Sequence, residues 1–156
     1  MSGSGNWHTI SGSTVPNNPQ GILQVLDSWP IMQWFRGKPG GEAFEVLLAE
    51  AEATSSQLCM SRISLGEVYY LVAKDYSEAT ATALIAQLNA MPIEIASVSD
   101  ADIDSAAFLK GRFNISYADA FAAALGVNKD APVVTGDKDF KALAAAGIIR
   151  LRWIGA

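Results

Sequence analysis

Four acidic residues of this chain stand among apolar neighbours, where a soluble protein usually places hydrophobic side chains. They are Asp27 in VLDSW, Glu67 in SLGEVYY, Asp119 in SYADAFAAAL and Asp137 in VVTGDKDF. An ionised carboxylate in such surroundings costs free energy unless its charge is compensated, and several at one place also repel one another. A divalent cation is the simplest compensation, and carboxylate oxygens suit Mg²⁺ or Mn²⁺. The four residues therefore predict a metal site of the kind that acts on phosphate groups.

Each of these carboxylates also has a structural explanation as a helix cap. Glu67 and Asp119 each follow a serine three positions earlier, which is the spacing of a capping box. Asp27 and Asp137 could cap the helices that follow them. These two residues also follow apolar strands, however, and the carboxyl ends of strands form the ligand crevice of open α/β sheets. Taken together, the four acids favour a shared metal site over four separate caps.

Composition limits the possible classes of protein. The 156 residues, half of them hydrophobic, suffice for one domain with one core. A net charge of −5 argues against a module that holds nucleic acid by bulk charge, but it does not exclude an enzyme that acts on nucleic acid. Cys59 is the only cysteine, so neither an internal disulfide nor a cysteine-based zinc site is expected. With no membrane-length apolar stretch and no secretory signal pattern, we expect a cytoplasmic protein without a membrane partner.

The chain divides into a tail and one domain. Residues 1–20 are dominated by Ser, Gly, Asn, Thr and Pro, which predicts a flexible N-terminal tail. From residue 21 to residue 156, short apolar segments alternate with amphipathic ones. This alternation predicts an α/β domain in which helices cover both faces of a mainly parallel sheet.

The predicted elements follow from hydrophobic periodicity and from Gly and Pro breaks. Strands are predicted at 22–27, 57–61, 92–97, 132–135 and 148–153. Helices are predicted at 30–36, 42–53, 63–75, 78–90, 100–112, 114–125 and 138–145. The helix at 63–75 is apolar nearly all round, so we expect it to be largely buried.

The segments VLDSW, GEVYY, SYADAFAAALG and PVVTGDKDF, in this order, resemble the PIN domain family. Within that family the chain looks most like the VapC-type toxin ribonucleases of type II toxin–antitoxin systems, over about Ile22 to Ile154. The resemblance implies a PIN-like three-layer fold and a metal-dependent endoribonuclease that uses Mg²⁺ or Mn²⁺. It also implies three partners: an RNA substrate, a cognate antitoxin and a second copy of the chain in a homodimer.

The resemblance assigns roles to individual residues. The catalytic acids are Asp27, Glu67, Asp119 and Asp137. Three of them, Asp27, Asp119 and Asp137, are metal ligands, and Asp139 is the alternative occupant of the last position. Two hydroxyl residues, Thr135 and Ser28, support the metal site. The metal would polarise the scissile phosphate and activate a water, because the only histidine, His8, lies in the predicted tail and offers no general base.

Two further groups of residues are candidates for partner contacts. The basic residues in loops or at helix ends could contact an RNA backbone, although solvated surface charge is the default interpretation: Arg62, Arg36, Lys38, Lys110 and Arg112. A short helix carries four large apolar residues, Ile31, Met32, Trp34 and Phe35, and cannot bury all of them. The remaining patch would suit an amphipathic antitoxin helix.

Two other functions are compatible with parts of the pattern. A metal-dependent phosphatase of small phosphoesters could use an Asp at the end of the first strand as its nucleophile, but it needs a second Asp shortly afterwards, and DSWPIM lacks one. A catalytically inactive PIN-like binding domain would have lost its metal. The presence of all four acids argues against that alternative.

Overall fold

The computed structural model describes residues 7–10, 13–16 and 22–156. Two short strands, β1 (Trp7–Ile10) and β2 (Ser13–Pro16), pair antiparallel within the stretch predicted to be a tail. The remainder of that stretch lies outside the described residues. The division of the chain at residue 20 therefore stays a prediction.

Five apolar strands form a parallel sheet in the order β5-β4-β3-β6-β7. The strands are β3 (Leu23–Leu26), β4 (Gln57–Ser61), β5 (Ile93–Ala96), β6 (Val133–Thr135) and β7 (Leu151–Trp153). The chain builds outward from β3 to β5, then returns to the other side of β3 to add β6 and β7. The strand order therefore reverses between β3 and β6, and the crevice above their carboxyl ends is where such sheets bind ligands.

Helices cover both faces of this sheet, as predicted. They are α1 (Ser28–Phe35), α2 (Gly40–Ala53), α3 (Arg62–Asp75), α4 (Glu78–Asn89), α5 (Asp100–Arg112), α6 (Tyr117–Asn128) and α7 (Lys141–Ala145), with a 3₁₀ turn at Lys138–Phe140. Successive strand residues point to opposite faces. Val25 accordingly packs with residues of α5, α6 and α7, whereas Leu26 packs with residues of α1 to α4. The predicted three-layer α/β fold is confirmed.

Helix α3 corrects one prediction. It was expected to be largely buried, but only one side of it is: Ser64, Leu65, Val68 and Val72. Tyrosine side chains account for much of the apolar character on its other side, and these remain exposed. Its N-cap is Ser61, whose hydroxyl accepts a hydrogen bond from the Ile63 amide at 3.1 Å. Ser64 therefore lies inside the helix, and the alternative explanation of Glu67 as part of a capping box with Ser64 is excluded.

The last strand is shorter than predicted. The amides of Gly147 and Ile148 donate to the carbonyls of Ala144 and Leu143, each at 3.0 Å, and so complete the end of α7. Gly147 has a φ of +74°, which suits glycine at a helix end. The Ile148 amide is therefore unavailable to the sheet, whose contact with this segment starts at the Arg150 carbonyl, and β7 spans Leu151–Trp153. No helix in the described part of the chain is long and apolar enough to cross a membrane.

Close packing of α1 on α2 gives a test of the fold. A β-carbon added at Gly41 in α2 would lie 2.6 Å from the Trp34 α-carbon, whereas one added at Gly66 in α3 would meet nothing within 4 Å. We expect Gly41→Ala to lower the free energy of unfolding by about 1–3 kcal/mol through overpacking. Gly66→Ala should raise it by up to about 1 kcal/mol, because alanine favours the helix. Urea unfolding of both variants measures this, and equal shifts of the same sign would contradict the described helix contact.

Candidate metal centre

Three of the predicted acids converge at the point where the strand order reverses. One carboxylate oxygen from each of Asp27, Asp119 and Asp137 lies within 4.8 Å of the others. Asp27 directly follows β3, Asp137 follows β6 by two residues, and Asp119 lies in the first turn of α6. The sheet therefore supplies two carboxylates from neighbouring strand ends, and a helix that begins at the same edge supplies the third.

One local backbone donor and one distant side-chain donor fix the position of Asp27. Its carboxylate is the N-cap of α1, with one oxygen accepting from the Trp29 amide at 3.2 Å. The other oxygen accepts from the Thr135 hydroxyl at 3.0 Å. The Thr135 hydroxyl in turn accepts from the Asp137 amide at 3.0 Å, and Thr135 is fully buried. Thr135 thus connects two of the predicted metal ligands.

Asp137 and Asp119 are also placed by helix capping. An Asp137 carboxylate oxygen accepts from the Asp139 amide at 3.0 Å and caps the 3₁₀ turn. The Ser116 hydroxyl caps α6 by accepting from the Asp119 amide at 3.1 Å. The cap and metal-ligand interpretations are therefore compatible, because capping uses part of each group and leaves carboxylate oxygens directed at one point.

Glu67 lies beside this cluster rather than within it. Its carboxylate accepts hydrogen bonds from the Ser28 hydroxyl and, at 3.5 Å, from the Tyr70 hydroxyl. Its charge contributes to raising the pKa of Asp119, so the two groups are close enough to interact. Asp139 is exposed and is not among the three clustered carboxylates. The geometry favours Asp137 over Asp139 for the last ligand position.

The clustered charges are poorly compensated by protein groups. Burial, the Asp119 charge and the Asp137 charge raise the pKa of Asp27 well above its ordinary value, against the hydrogen bond from Thr135. Burial and the charges of Asp137 and Glu67 raise the pKa of Asp119 to about 7. The ion pairs found within residues 22–156 involve other acids: Asp75, Asp130 and Glu50. Such a set of hard oxygen donors fits a divalent cation such as Mg²⁺ or Mn²⁺.

Asp102 shows how this protein treats a buried carboxylate outside the cluster. Burial raises its pKa, but hydrogen bonds from the Asn128 amide and from Ser99 outweigh burial and give a lowered pKa. It forms a complete capping box with Ser99 at the start of α5. Hydrogen bonds can thus compensate the burial of a carboxylate in this fold. In the cluster around Asp27 the hydrogen bonds do not outweigh burial and repulsion, and the pKa values of Asp27 and Asp119 stay raised.

The predicted RNA-contact residues do not share one location. Arg62 is exposed at the start of α3, directly after β4, and so lies at the same edge of the sheet as the acids. Arg36 ends α1 and pairs with Asp75 at 3.3 Å, and Lys38 is exposed in the connection to α2. Of these candidates, Arg62 has the position that best suits contact with a bound strand.

The predicted antitoxin-contact helix is corrected in part. Ile31 and Met32 are buried in the core and cannot form an exposed patch. Trp34 and Phe35 are partly buried and line a groove together with residues of α4. The Trp34 ring packs edge-on against Phe44, with ring centroids 5.7 Å apart. Only Trp34 and Phe35 therefore stay candidates for a partner contact.

Two residues beside the site had no role assigned from sequence. The indole of Trp29 packs so closely on two glycines that an added β-carbon would lie 2.3 Å away at Gly136 and 2.5 Å away at Gly40. Trp29 thus fills the rim of the site next to the Asp137 loop. Tyr70 lies one helical turn after Glu67 and reaches it through its hydroxyl. The three-residue spacing in GEVYY could have indicated that Tyr70 and Glu67 share a helix face.

Burial of Asp119, together with electrostatic repulsion in the cluster, predicts an unusual effect of Asp119→Asn on stability. The folded-state pKa of Asp119, about 7, exceeds its ordinary value of 3.8. At pH values between these two, the native state therefore binds more protons than the unfolded state, and the stability of the protein falls as pH rises through this range. In metal-free buffer at pH 8, we expect the neutral amide to stabilise the protein by on the order of 2 kcal/mol, or about 4–8 °C in Tm. The advantage should vanish near pH 4, where the wild-type carboxyl is also neutral.

Thermal unfolding in EDTA at pH 4 and pH 8 measures this effect. Asp104→Asn on the exposed side of α5 is the matched control and should change Tm little at either pH. A lower Tm for Asp119→Asn at pH 8 would contradict the described repulsion.

Known proteins resemble this chain both in sequence and in fold. The sequence matches the PIN domain family over residues 25–146. Among solved structures, VapBC from Salmonella typhimurium bound to DNA has a TM-score of 0.65 at 16% identity, covering 85% of this chain and 98% of that one. VapBC2 from Rickettsia felis, bound to a DNA fragment from its promoter, has a TM-score of 0.64 at 17% identity, covering 84% and 98%.

A third similar structure is VapC20 from Mycobacterium tuberculosis, described as a toxin that cleaves the sarcin–ricin loop. It has a TM-score of 0.62 at 18% identity, and the match covers 81% of this chain and 98% of that one. A search of curated proteins finds no match. At these identities the structures establish the fold, whereas the sequence match spans most of the chain. The chain therefore belongs to the PIN domain family.

Proposed function

We propose that this protein is a Mg²⁺- or Mn²⁺-dependent endoribonuclease and the cytoplasmic toxin of a type II toxin–antitoxin pair. One observation carries the proposal: the Asp27, Asp119 and Asp137 carboxylates converge within 4.8 Å at the ligand crevice, and none of the ion pairs found among the described residues involves them. Membership of the PIN domain family supports nuclease chemistry. The similarity to VapC20, described as a toxin that cleaves RNA of the sarcin–ricin loop, supports RNA as the substrate.

The three clustered carboxylates would hold the ion. A divalent cation at this place supplies charge stabilisation for the phosphodiester and lowers the pKa of a bound water. The chain's own contribution is orientation: Thr135 holds Asp27, and the Asp139 amide holds Asp137. Glu67, held by the Ser28 hydroxyl, is placed beside the cluster to orient the attacking water or to help bind a second ion.

An antitoxin partner is supported by the structures of similar proteins, several of which are VapBC complexes. In this chain the groove between α1 and α4 is the surface that fits an apolar side of a partner helix. It is lined by Trp34, Phe35, Thr80, Ala83, Leu84 and Gln87. A homodimer is part of the same proposal.

Loss of a ligand carboxylate should remove activity without unfolding the protein. We expect Asp119→Asn to lower RNA cleavage by on the order of 100-fold or more, since losing a residue that only orients a ligand already costs about 10- to 100-fold. Cleavage of total cellular RNA in Mg²⁺ gives the activity, and circular dichroism checks the fold. Asp104→Asn should retain full activity.

Metal binding and substrate choice distinguish the proposed ribonuclease from an inactive PIN-like binding domain and from a phosphatase. Calorimetric titration with Mn²⁺ should show binding to the wild type and much weaker binding to Asp119→Asn. No binding to the wild type would favour the inactive PIN-like binding domain, and hydrolysis of small phosphoesters without RNA cleavage would favour the phosphatase.

The fourth acidic position is tested by a matched pair of neighbours. We expect Asp137→Asn to lower cleavage strongly, because its carboxylate belongs to the cluster, and Asp139→Asn to lower it only a few-fold, because its side chain is exposed. Steady-state cleavage rates of the two variants decide between them. A larger loss in Asp139→Asn would reassign the ligand.

Arg62 is proposed to contact the RNA backbone. Its replacement by alanine should weaken RNA binding and reduce the slope of log affinity against log salt by about one, the effect of one lost phosphate contact. Lys74→Ala, at the exposed far end of the same helix, is the control and should leave the slope unchanged. Equal slopes for Arg62→Ala and the wild type would remove Arg62 from the binding surface.

A further inference from the structure

The tyrosines of this chain are placed unusually for such large rings. All four are exposed, and none contributes to the core: Tyr69, Tyr70, Tyr76 and Tyr117. Two of them pack on other rings, Tyr76 against Phe35 and Tyr117 against Phe121. Tyr70 is 55% exposed and takes part in none of the ring pairs found among the described residues. Its ring is therefore available to a ligand.

The position of Tyr70 connects this free ring to the acidic site. Tyr70 follows Glu67 by three residues on α3, so both side chains lie on one face of the helix. The Tyr70 hydroxyl is 3.5 Å from a Glu67 carboxylate oxygen. After burial, the charges of Glu67 and Asp119 raise the pKa of Tyr70, which is a second indication that the ring borders the cluster. A strand cleaved at the cluster would pass this ring.

The charge balance of the protein favours an additional, non-ionic contact with a bound strand. The chain carries a net charge of −5, and four acids lie at or beside the site. Two exposed cations lie at this edge of the sheet, Arg62 at the start of α3 and Lys138 directly after Asp137. Attraction of an RNA backbone by basic residues is therefore weak here. Aromatic rings bind unpaired bases by stacking, which does not depend on positive charge.

We propose that Tyr70 stacks against an unpaired base next to the cleaved phosphodiester. The inference rests on the proposed ribonuclease function and adds a residue that contacts a base of the substrate.

A different role for Tyr70 would be to position Glu67 through its hydroxyl. The two roles are separable, because Tyr70→Phe removes the hydroxyl and retains the ring, whereas Tyr70→Leu removes both. Tyr69→Leu is the matched control. Tyr69 is the same residue type, is 38% exposed and precedes Tyr70 in the same helix, but it lies about 200° around the helix from Glu67.

The experiment uses two probes of equal length with the full chain in Mg²⁺. The first is a mixed-sequence single-stranded RNA of about 12 nucleotides, and the second is a ribose-phosphate oligomer without bases, used as a competitor. Loss of one base stack lowers affinity by about 5- to 150-fold. We expect Tyr70→Leu to raise KM for the RNA by about 10-fold, with kcat less affected. The inhibition constant of the base-free oligomer should not change.

Tyr70→Phe and Tyr69→Leu should both retain the wild-type KM. Equal KM values for Tyr70→Leu and the wild type would overturn the proposal, as would a parallel change in KM and in the inhibition constant of the base-free oligomer. A large loss of kcat in Tyr70→Phe would show the Glu67-positioning role instead. If the wild type cleaves no RNA, the proposed function fails. Fluorescence anisotropy with the same two probes then still decides whether Tyr70 contacts bases.

Discussion

The burial and mutual repulsion of three clustered carboxylates form the constraint on which the rest of this molecule depends. Asp27 and Asp119 are almost fully buried, and Asp137 is partly buried beside them. Folding therefore brings together groups that are each more stable apart and in water. The remaining fold must hold them there, and the parallel sheet does so through strands whose hydrophobic residues pack on both faces. Without a bound cation, the site lowers the stability of the folded state, and a bound cation would offset this loss.

The hydrogen bonds around the cluster show how this cost is limited. The Thr135 hydroxyl donates to Asp27 and accepts from the Asp137 amide, so one buried side chain sets the separation of two acids. Helix starts at Ser28, Tyr117 and Lys138 bring amide donors to the same edge. Partial positive charge at these helix N-termini favours nearby carboxylates. The same backbone features that cap helices thereby prepare a cation site.

Much of this arrangement could be predicted from sequence, because its signals are local. The apolar runs before Asp27 and Asp137 predicted two strand ends, and the motif around Asp119 predicted a helix start among apolar residues. Other features depend on tertiary contacts that spacing does not encode. The exposure of one side of α3 depends on what packs against it, and the burial of Ile31 and Met32 depends on how α1 lies on the sheet. The Ile148 amide, at the start of the predicted last strand, is used by α7, which only the folded chain shows. The assignment of ion, RNA and antitoxin stays a prediction.

The contact between Trp29 and two glycines has a consequence for how this site can vary. The indole occupies the volume that side chains at Gly40 and Gly136 would need, and Gly136 lies between Thr135 and Asp137. A larger residue at either glycine requires the ring at position 29 to move or to become smaller, and a smaller residue at 29 leaves a void beside the Asp137 loop. In related sequences these three positions should therefore covary, with small residues at position 29 accompanying side chains at 40 or 136.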